Sequence, residues 1–504
     1  MAFGACVVAI VPAGIRWLRV AQREHYLAGS CSRFAVRWWG RTPPNQVLTV
    51  VAVAGAGLAG RWPVAAVATG LVVIVGPWHL SLRGRTSALV WTRRLRFLAA
   101  VWVALQASIV AASVLWGLSV VVAALGTLLV PVVFDLALLV TAPVERRLAG
   151  RYVATAAKRL ARVQPVIVAI TGSYGKTSTK SHVAHLVGGS RRLVATPASF
   201  NNRAGLARSI NENLADATEV FVAEMGTYGP GEIAELCRWC PPSIAVITAI
   251  GPVHLERFGS EDRIVQAKSE IAATATTVVL NVDEPRLAAL ADALSQESGP
   301  RRVVRVASDR DADVRLRRTE RGVAVVIGGL VVTDGAVIPA EAQLTNVACA
   351  FAVALELGIP VSTLIERLAD LPAVEHRLSN GVSPNGVVVI DDTFNSNPAG
   401  ARSALALLAA AGTTGRRVVV TPGMVELGRR QKSENAQLAA AVSAVASDLV
   451  VVGRTNRPAL SKGAPSSLNR LDVSEREEAV AWVRSNLSAG DAVLYENDLP
   501  DHYP

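Results

Sequence analysis

The run VIVAITGSYGKTSTKS, residues 166–181, constrains this chain more than any other stretch. Its five leading residues are apolar and mostly β-branched, which suits a buried strand; Gly172 and Gly175 free the backbone for a tight turn, and Lys176 opens a segment of helical composition. A strand that ends in a glycine turn and continues as a helix is the start of a βαβ unit. Glycines there let backbone N–H groups cradle phosphate oxygens, the helix start adds partial positive charge, and a lysine neutralises the terminal phosphates. The spacing Gly172-x-x-Gly175-Lys176-Thr177 is shorter than the commonest P-loop, yet it assigns a nucleotide to Gly172, Ser173, Tyr174, Gly175, Lys176, Thr177 and Ser178, with the Thr177 hydroxyl offered to Mg²⁺.

What precedes this run has a different solvent. The 504 residues suffice for about three domains, and the apolar excess lies before residue 145. Apolar stretches occupy 2–15, 46–59, 64–82, 97–116 and 118–141. Crossing a bilayer takes about 20 apolar residues, so the last three are long enough, the first two are short, and four or five spans are expected. Arg16 and Arg19 follow the first stretch instead of preceding it, and no small-residue cleavage pattern is clear, which argues against a cleaved signal peptide. Arginine clusters at 16–41, 83–96 and 146–162 all fall on the cytoplasmic side by the positive-inside rule. A multi-pass cell-membrane protein with its catalytic domains in the cytoplasm is the expectation.

Much of the net charge of +11 sits in those clusters, where anionic membrane lipids are a simpler partner than nucleic acid. Five scattered cysteines form no disulfide framework; Cys237-x-x-Cys240 has the spacing of half a zinc site, but no second pair follows, so it reads as two thiols on a helix turn.

From Val166 on, short β-rich runs (EVFVA, IAVITAI, TVVLN) alternate with Ala/Leu-rich segments. Residues 301–337 read as a small antiparallel insertion, TNVACAFAVALELGI as a helix, and near residue 373 the rhythm restarts with GVVVIDD, RRVVVTPGM, DLVVVG and DAVLYE. The expected fold is α/β: a P-loop central domain with a parallel sheet at 160–372 and a C-terminal Rossmann-like α/β domain at 373–504, preceded by an α-helical transmembrane region at 1–145. Glu224 ends the strand after the P-loop, where a carboxylate can hold Mg²⁺, and its apolar run implies a semi-buried position that needs a partner. His254 begins a loop on the same rim; a lone histidine there is more often structural than catalytic.

The motifs ITGSYGKTSTK, TPASFNNRAG, AEMGTYGPGEI, ITAIGPVHLERFGS, QAKSEI, LNVDEP, EHRL and IDDTFNSNP occur in the order found in Mur ligases, and the chain resembles that family from about Val166 to its end. The resemblance implies an ATP-dependent amide ligase of peptidoglycan precursor synthesis. ATP would phosphorylate a precursor carboxylate, and an amino acid or a dipeptide such as D-alanyl-D-alanine would attack the acyl phosphate. By motif, the catalytic set is Lys176, Glu224, His254 and Lys268. Thr177, Glu224, His254 and Lys268 serve the metal, with Lys268 matching a carbamylated lysine whose carbamate supplies anionic oxygen. Asn346, Arg377, Asp392 and Asn395 fall to the nucleotide, and Asn201, Asn202 and Asn397 to the substrate.

Departures from the family pattern bear on the substrate. Hydrophobic spans stand where relatives carry a uridine-binding domain. Ala342 and Gln343 replace the usual His-Asn before the helix, and Asn435 stands where a histidine usually follows Glu426-Leu427-Gly428. The rival class, a membrane P-loop ATPase that powers transport, is weakened because few ionisable residues lie inside the spans. No role attaches to the ending YENDLPDHYP.

Overall fold

The computed structural model describes residues 1–78, 80, 82, 89–117, 119–197, 200–340, 342–372, 379–393, 396–411 and 414–499. Residues 1–150 and 151–498 form two compact units.

The first unit is helical: α1 Ala2–Arg23, α2 Ser30–Arg41, α3 Pro43–Leu58, α4 Ala65–Val75, α5 Arg93–Leu115, α6 Ser119–Leu128 and α7 Val130–Val163, the last carrying the chain into the second unit. α1 and α5, of 22 and 23 residues, are long and apolar enough to cross a membrane, and α6 with α7 passes the same test as a pair bent by 71°. The helix lengths differ from the sequence expectation in both directions. The first stretch grows because α1 continues through Arg16 and Arg19, both buried. The stretch 64–82 keeps an 11-residue helix, which stops at Gly76 before Pro77, a residue without an N–H to continue the ladder. Arg16 covers that helix end. Its guanidinium donates to the carbonyls of Val73 (3.1 Å), Ile74 (3.0 Å) and Gly76, which a helix terminus leaves without intrahelical partners, and to that of Leu80 (3.0 Å) just beyond. Asp135 does the converse for α2, accepting from the N–H groups of Cys31 (3.1 Å) and Ser32 (2.8 Å). Arg16, from a cluster expected beside lipid headgroups, and Asp135, one of the few ionisable residues expected inside the spans, are committed to helix ends.

In the second unit a nine-stranded sheet runs β2-β3-β1-β4-β5-β6-β7-β8-β9, with β1 Val166–Thr171, β2 Leu193–Ala195, β3 Val220–Glu224, β4 Ile244–Ile247, β5 Thr277–Asn281, β6 Arg302–Ala307, β7 Val314–Thr319, β8 Gly322–Ile327 and β9 Leu330–Ala336. All pairs up to β6–β7 are parallel; β7–β8 and β8–β9 are antiparallel. The expected antiparallel insertion is therefore smaller than 301–337, because β6 extends the parallel sheet. Strand β1 lies between β3 and β4 and is buried on both faces. Ile167 and Ala169 join the core that holds Leu206 and Phe221, while Val168 and Ile170 join Val183, Val347 and Phe351. The second core takes in α8 (Lys176–Val187) and the helix Leu344–Glu356, which is buried from Asn346 to Ala354, as its all-round apolar sequence requires. Register places Ile170 beside Glu224 and Thr171 beside Ile247, so the ends of β1, β3 and β4 share one rim.

A second sheet runs β10-β11-β15-β12-β13-β14, with β10 Ser379–Val382, β11 Val388–Asp392, β12 Arg417–Thr421, β13 Asp448–Val452, β14 Asn469–Val473 and β15 Ala492–Glu496. The four apolar runs read from sequence are β11, β12, β13 and β15. The two strands without such runs, β10 and β14, are the sheet's edges, where one side lacks a neighbour and polar residues are tolerated.

The ending also finds a structural account. Glu496, fully buried at the end of β15, accepts hydrogen bonds from Thr421 (2.5 Å) and Ser396. Asn497 N–H donates to the Asp392 carbonyl (3.0 Å), its amide donates to that of Gly423 (2.7 Å), and Asp498 pairs with Arg476 at 2.5 Å. This segment ties together the rims of β11, β12 and β15. Burial pushes the Glu496 carboxyl up to about 7, against the two hydroxyl hydrogen bonds and with the charge of Asp392 reinforcing it. A carboxyl raised on folding stabilises most below its unfolded value, and that contribution is lost as pH rises through about 7. The Glu496→Gln protein should therefore melt progressively higher than wild type as pH goes from 5 to 8, up to a ceiling of about 3 kcal/mol. A Tm difference independent of pH would contradict this.

Candidate active site

The loop between β1 and α8 is held open by its neighbours. Gly172 (φ 156°) and Gly175 (φ 81°) both stand in backbone conformations that favour glycine, and a Cβ would strike Thr248 Oγ1 at the first and Asn346 Oδ1 at the second. Ser173 N–H donates to the Ala249 carbonyl (2.8 Å), its hydroxyl to that of Gly251 (3.2 Å), and Tyr174 OH to that of Ile250 (3.1 Å). Thr248 in turn donates to the Tyr174 carbonyl at 2.5 Å. The segment after β4 thus shapes the phosphate cradle. Ser178 follows half-buried on the first turn of α8.

Two lysines meet at this loop. Lys176 Nζ donates to the Gly172 carbonyl at 2.8 Å, and Lys268 Nζ, from the helix Glu261–Ser269, donates to the same oxygen at 2.9 Å. Lys268 is buried, and burial together with the charge of Lys176 holds its pKa well below the ordinary lysine range.

Glu224, only 1% exposed, accepts from Thr177 Oγ1 (3.0 Å) and Asn201 Nδ2 (3.1 Å) and pairs with Lys180 (3.0 Å). Burial alone would raise its pKa. The charges of Lys180 and Lys176, with hydrogen bonds from Lys180 and Asn201, overcome this and hold it below the ordinary value. Thr177 and Glu224 present hydroxyl and carboxylate oxygens behind the phosphate cradle, a donor set that suits Mg²⁺. Lys180, absent from the sequence reading, lies one helical turn after Lys176, and that i,i+4 spacing was its signal.

The remaining candidates are distributed differently. His254 turns its Nδ1 to the Glu426 carboxylate, 172 positions away, and meets the edge of the Tyr228 ring at 5.1 Å. Among the described residues no three His, Cys, Asp or Glu side chains gather as a metal centre. Asn202 caps the helix Arg203–Asn213, accepting from Gly205 N–H at 2.9 Å; Asn397 caps Pro398–Ala410 through Ala399 (3.1 Å) and Gly400 (2.9 Å). Asp392 ends β11 on the second sheet's rim, while Arg377 and Asn395 lie outside the described residues. Cys237 and Cys240 are buried in the core, consistent with the reading as structural thiols.

A cleft of about 790 Å³ opens beside the loop, lined by Tyr174, Asn281, Asp283, Gln343 and Asn346 from the first sheet's side and by Arg402 and Ser403 from the second's. Its size is that of a small-molecule site. Gln343 accepts from Asn346 Nδ2 at 3.0 Å, so the residue standing in place of the usual asparagine braces the one that touches Gly175.

Two family models match: Mur ligase middle domain over residues 170–354, and Mur ligase, glutamate ligase domain over residues 376–495. The UDP-N-acetylmuramoyl-tripeptide--D-alanyl-D-alanine ligase of Mycobacterium tuberculosis (strain ATCC 25618 / H37Rv) is 34% identical over 361 residues, covering 65% of this chain and 69% of that one. The Bacillus subtilis (strain 168) ligase of the same name is 27% identical over 337 residues, covering 66% and 72%. Among solved structures, the MurF ligase of Thermotoga maritima in complex with ADP superposes with a TM-score of 0.59 at 26% identity, covering 69% of this chain and 80% of that one. MurF from Acinetobacter baumannii, at 22% identity and a TM-score of 0.58 over 69% of this chain and 77% of its own, shares the fold.

Removing one partner of a buried ion pair strands the other. Lys180→Met should destabilise the full-length protein by about 3 kcal/mol, and adding Glu224→Gln should restore part of that loss. Urea unfolding of both variants checks it; additive losses would show that the pair does not act as one.

Proposed function

The chain belongs to the Mur ligase family, and on that premise we propose that it is an ATP-dependent, ADP-forming amide ligase of peptidoglycan precursor synthesis. Its acceptor is the carboxylate of a UDP-MurNAc-tripeptide-type precursor and its amine donor is D-alanyl-D-alanine or a related dipeptide or amino acid. The observation that carries this reading is the convergence of Lys176 and Lys268 on one loop carbonyl beside the ionised, buried Glu224. That is a site built to collect negative charge and a hard cation. We divide the chain into an anchor at 1–145, an ATP-binding domain at 160–372 and a C-terminal domain at 373–504.

In the reaction the γ-phosphoryl group of ATP passes to the acceptor carboxylate and ADP leaves. The amine then attacks the acyl carbon, phosphate departs, and the nitrogen sheds a proton as the amide forms. Such chemistry asks the protein chiefly for position and charge neutralisation. Lys176 and the N–H groups of Gly172 to Thr177 hold the phosphates, and Asn281, Gln343 and Asn346 line the cleft for the rest of the nucleotide. Thr177 and Glu224 would hold Mg²⁺, with His254 as a further ligand from the same rim. Mg²⁺, when bound, neutralises phosphate charge. Asp392, Arg377 and the 395–397 segment complete the nucleotide and substrate sites from the C-terminal domain, and their approach excludes water from the acyl phosphate.

Lys268 is the proposed carbamate site. Burial and the charge of Lys176 disfavour its charged form, and an uncharged amine can add CO₂ and lose a proton, which places an anionic oxygen ligand beside Lys176. Residues 1–150 hold the enzyme at the cell membrane through α1 and α5, with the ligase in the cytoplasm and membrane lipids around the helices. Confinement there raises the effective concentration of a lipid-linked acceptor. The transport alternative is not favoured, because the buried Arg16 and Asp135 are taken up in capping α4 and α2.

Full-length protein given ATP and Mg²⁺ should release ADP when both a UDP-MurNAc-tripeptide and D-alanyl-D-alanine are added; release with neither would favour a pump. Lys176→Ala should abolish turnover, and full activity in that variant would remove the loop from the mechanism. Lys268→Ala should lose activity and regain part of it with acetate or formate, whereas no recovery would reject the carbamate. Offering soluble and lipid-linked acceptors side by side tests the anchor: preference for the soluble one counts against its role.

A further inference from the structure

His254 and Glu426 face each other across the boundary between the two sheets of the second unit, and both have left-handed backbones, φ 53° and 63°, although neither is glycine. Such a conformation costs about 1–2 kcal/mol per residue and persists only where surroundings over-determine it. The surroundings are specific here. Glu256 N–H donates to the Glu426 carbonyl (3.4 Å), and Arg430 bridges Glu261 of the first sheet's side (2.6 Å) to Glu434 of its own helix (2.6 Å). Both ends of the contact, the loop after β4 and the loop after β12, are bent to bring one imidazole to one carboxylate.

We propose that Glu426 is a positioning residue for His254: by accepting from Nδ1 it fixes the imidazole with Nε2 as the ring nitrogen offered to magnesium, so that metal binding depends on the C-terminal domain being docked. This rests on the reading of His254 as a metal-holding residue. A ligating histidine characteristically donates its other nitrogen to a carboxylate, which sets the tautomer and raises ligand basicity. In this chain that carboxylate comes from the other domain. The His254 ring is also buttressed by Tyr228 edge-on, whose face in turn carries the Arg257 guanidinium at 4.6 Å, so the imidazole has few other orientations. The consequence is order: with the C-terminal domain away, Glu224 and Thr177 remain assembled on the first sheet, and the histidine loses its orienting partner. The full metal site then forms only when the C-terminal domain is in place, which limits wasteful hydrolysis of ATP.

The test uses full-length protein, with Mn²⁺ titrated calorimetrically in the presence of a non-hydrolysable ATP analogue. Wild type, His254→Ala, Glu426→Ala, Glu426→Gln and the double alanine variant are compared. Each single alanine change should weaken Mn²⁺ binding about 10- to 100-fold, the double change should weaken it no further than His254→Ala alone, and Glu426→Gln, still an acceptor, should recover part of the loss. Metal-free binding of the analogue should stay unchanged, and in turnover kcat should fall with little change in acceptor KM. All five native cysteines are buried, so dyes on Gln296→Cys and Ala444→Cys report the distance between domains. Mn²⁺ with the analogue should narrow that distance distribution in wild type and not in Glu426→Ala. Losses that add in the double variant, or wild-type Mn²⁺ affinity in Glu426→Ala, overturn the inference while leaving the metal site standing. Wild-type Mn²⁺ affinity in His254→Ala instead overturns the metal reading of His254 itself.

Discussion

Two ammonium groups drawn to one carbonyl oxygen are the constraint around which the catalytic half is arranged. Lys176 and Lys268 both donate to Gly172 O, so a charge on one disfavours a charge on the other. Lys268 is the buried one, and burial together with the charge of Lys176 holds its pKa well below the ordinary lysine range. The same field acts on the nearest carboxylate. Burial alone would raise the pKa of Glu224, and Lys180 and Lys176 outweigh it and hold the carboxyl below its ordinary value. The charge of Lys176 thus acts on both neighbours, pushing down the pKa of Lys268 and helping to hold down that of Glu224.

Around this centre the polar residues of the rim have two kinds of work. Some hold backbone: Asn202 and Asn397 cap helices, Thr248 and Ser173 lace the glycine loop to the segment after β4, and Glu496 with Asn497 ties three strands of the second sheet. Others, Thr177, Glu224 and Lys176, gather at the loop itself. The division is not visible in residue type, since threonine serves both. It follows from which backbone groups each helix or strand end leaves without a partner, because those groups capture the nearest side chain first.

The helical unit obeys the same rule. Orphan carbonyls at the end of α4 and orphan N–H groups at the start of α2 cannot turn to water inside an apolar bundle, and Arg16 and Asp135 supply what is missing. The charges that look out of place in the sequence are what allow short helices to end within the bundle.

Much of this was legible in advance, and the parts that were not share a cause. Local patterns determined the α/β architecture, the two sheets, the loop from Gly172 to Thr177 and the place of Glu224, because strand burial, glycine turns and helix starts are written in consecutive residues. The edge strands β10 and β14 escaped because an edge needs no continuous apolar run. Likewise the ends of α1 and α4 were misjudged, since an arginine can be absorbed into a bundle and a hydrophobic run can break at Gly76-Pro77. What only the tertiary structure decided were pairings across long separations: Lys268 with the carbonyl of Gly172, His254 with Glu426, Arg16 with α4. Such contacts depend on which distant segments are packed side by side, and no spacing within a linear chain encodes that.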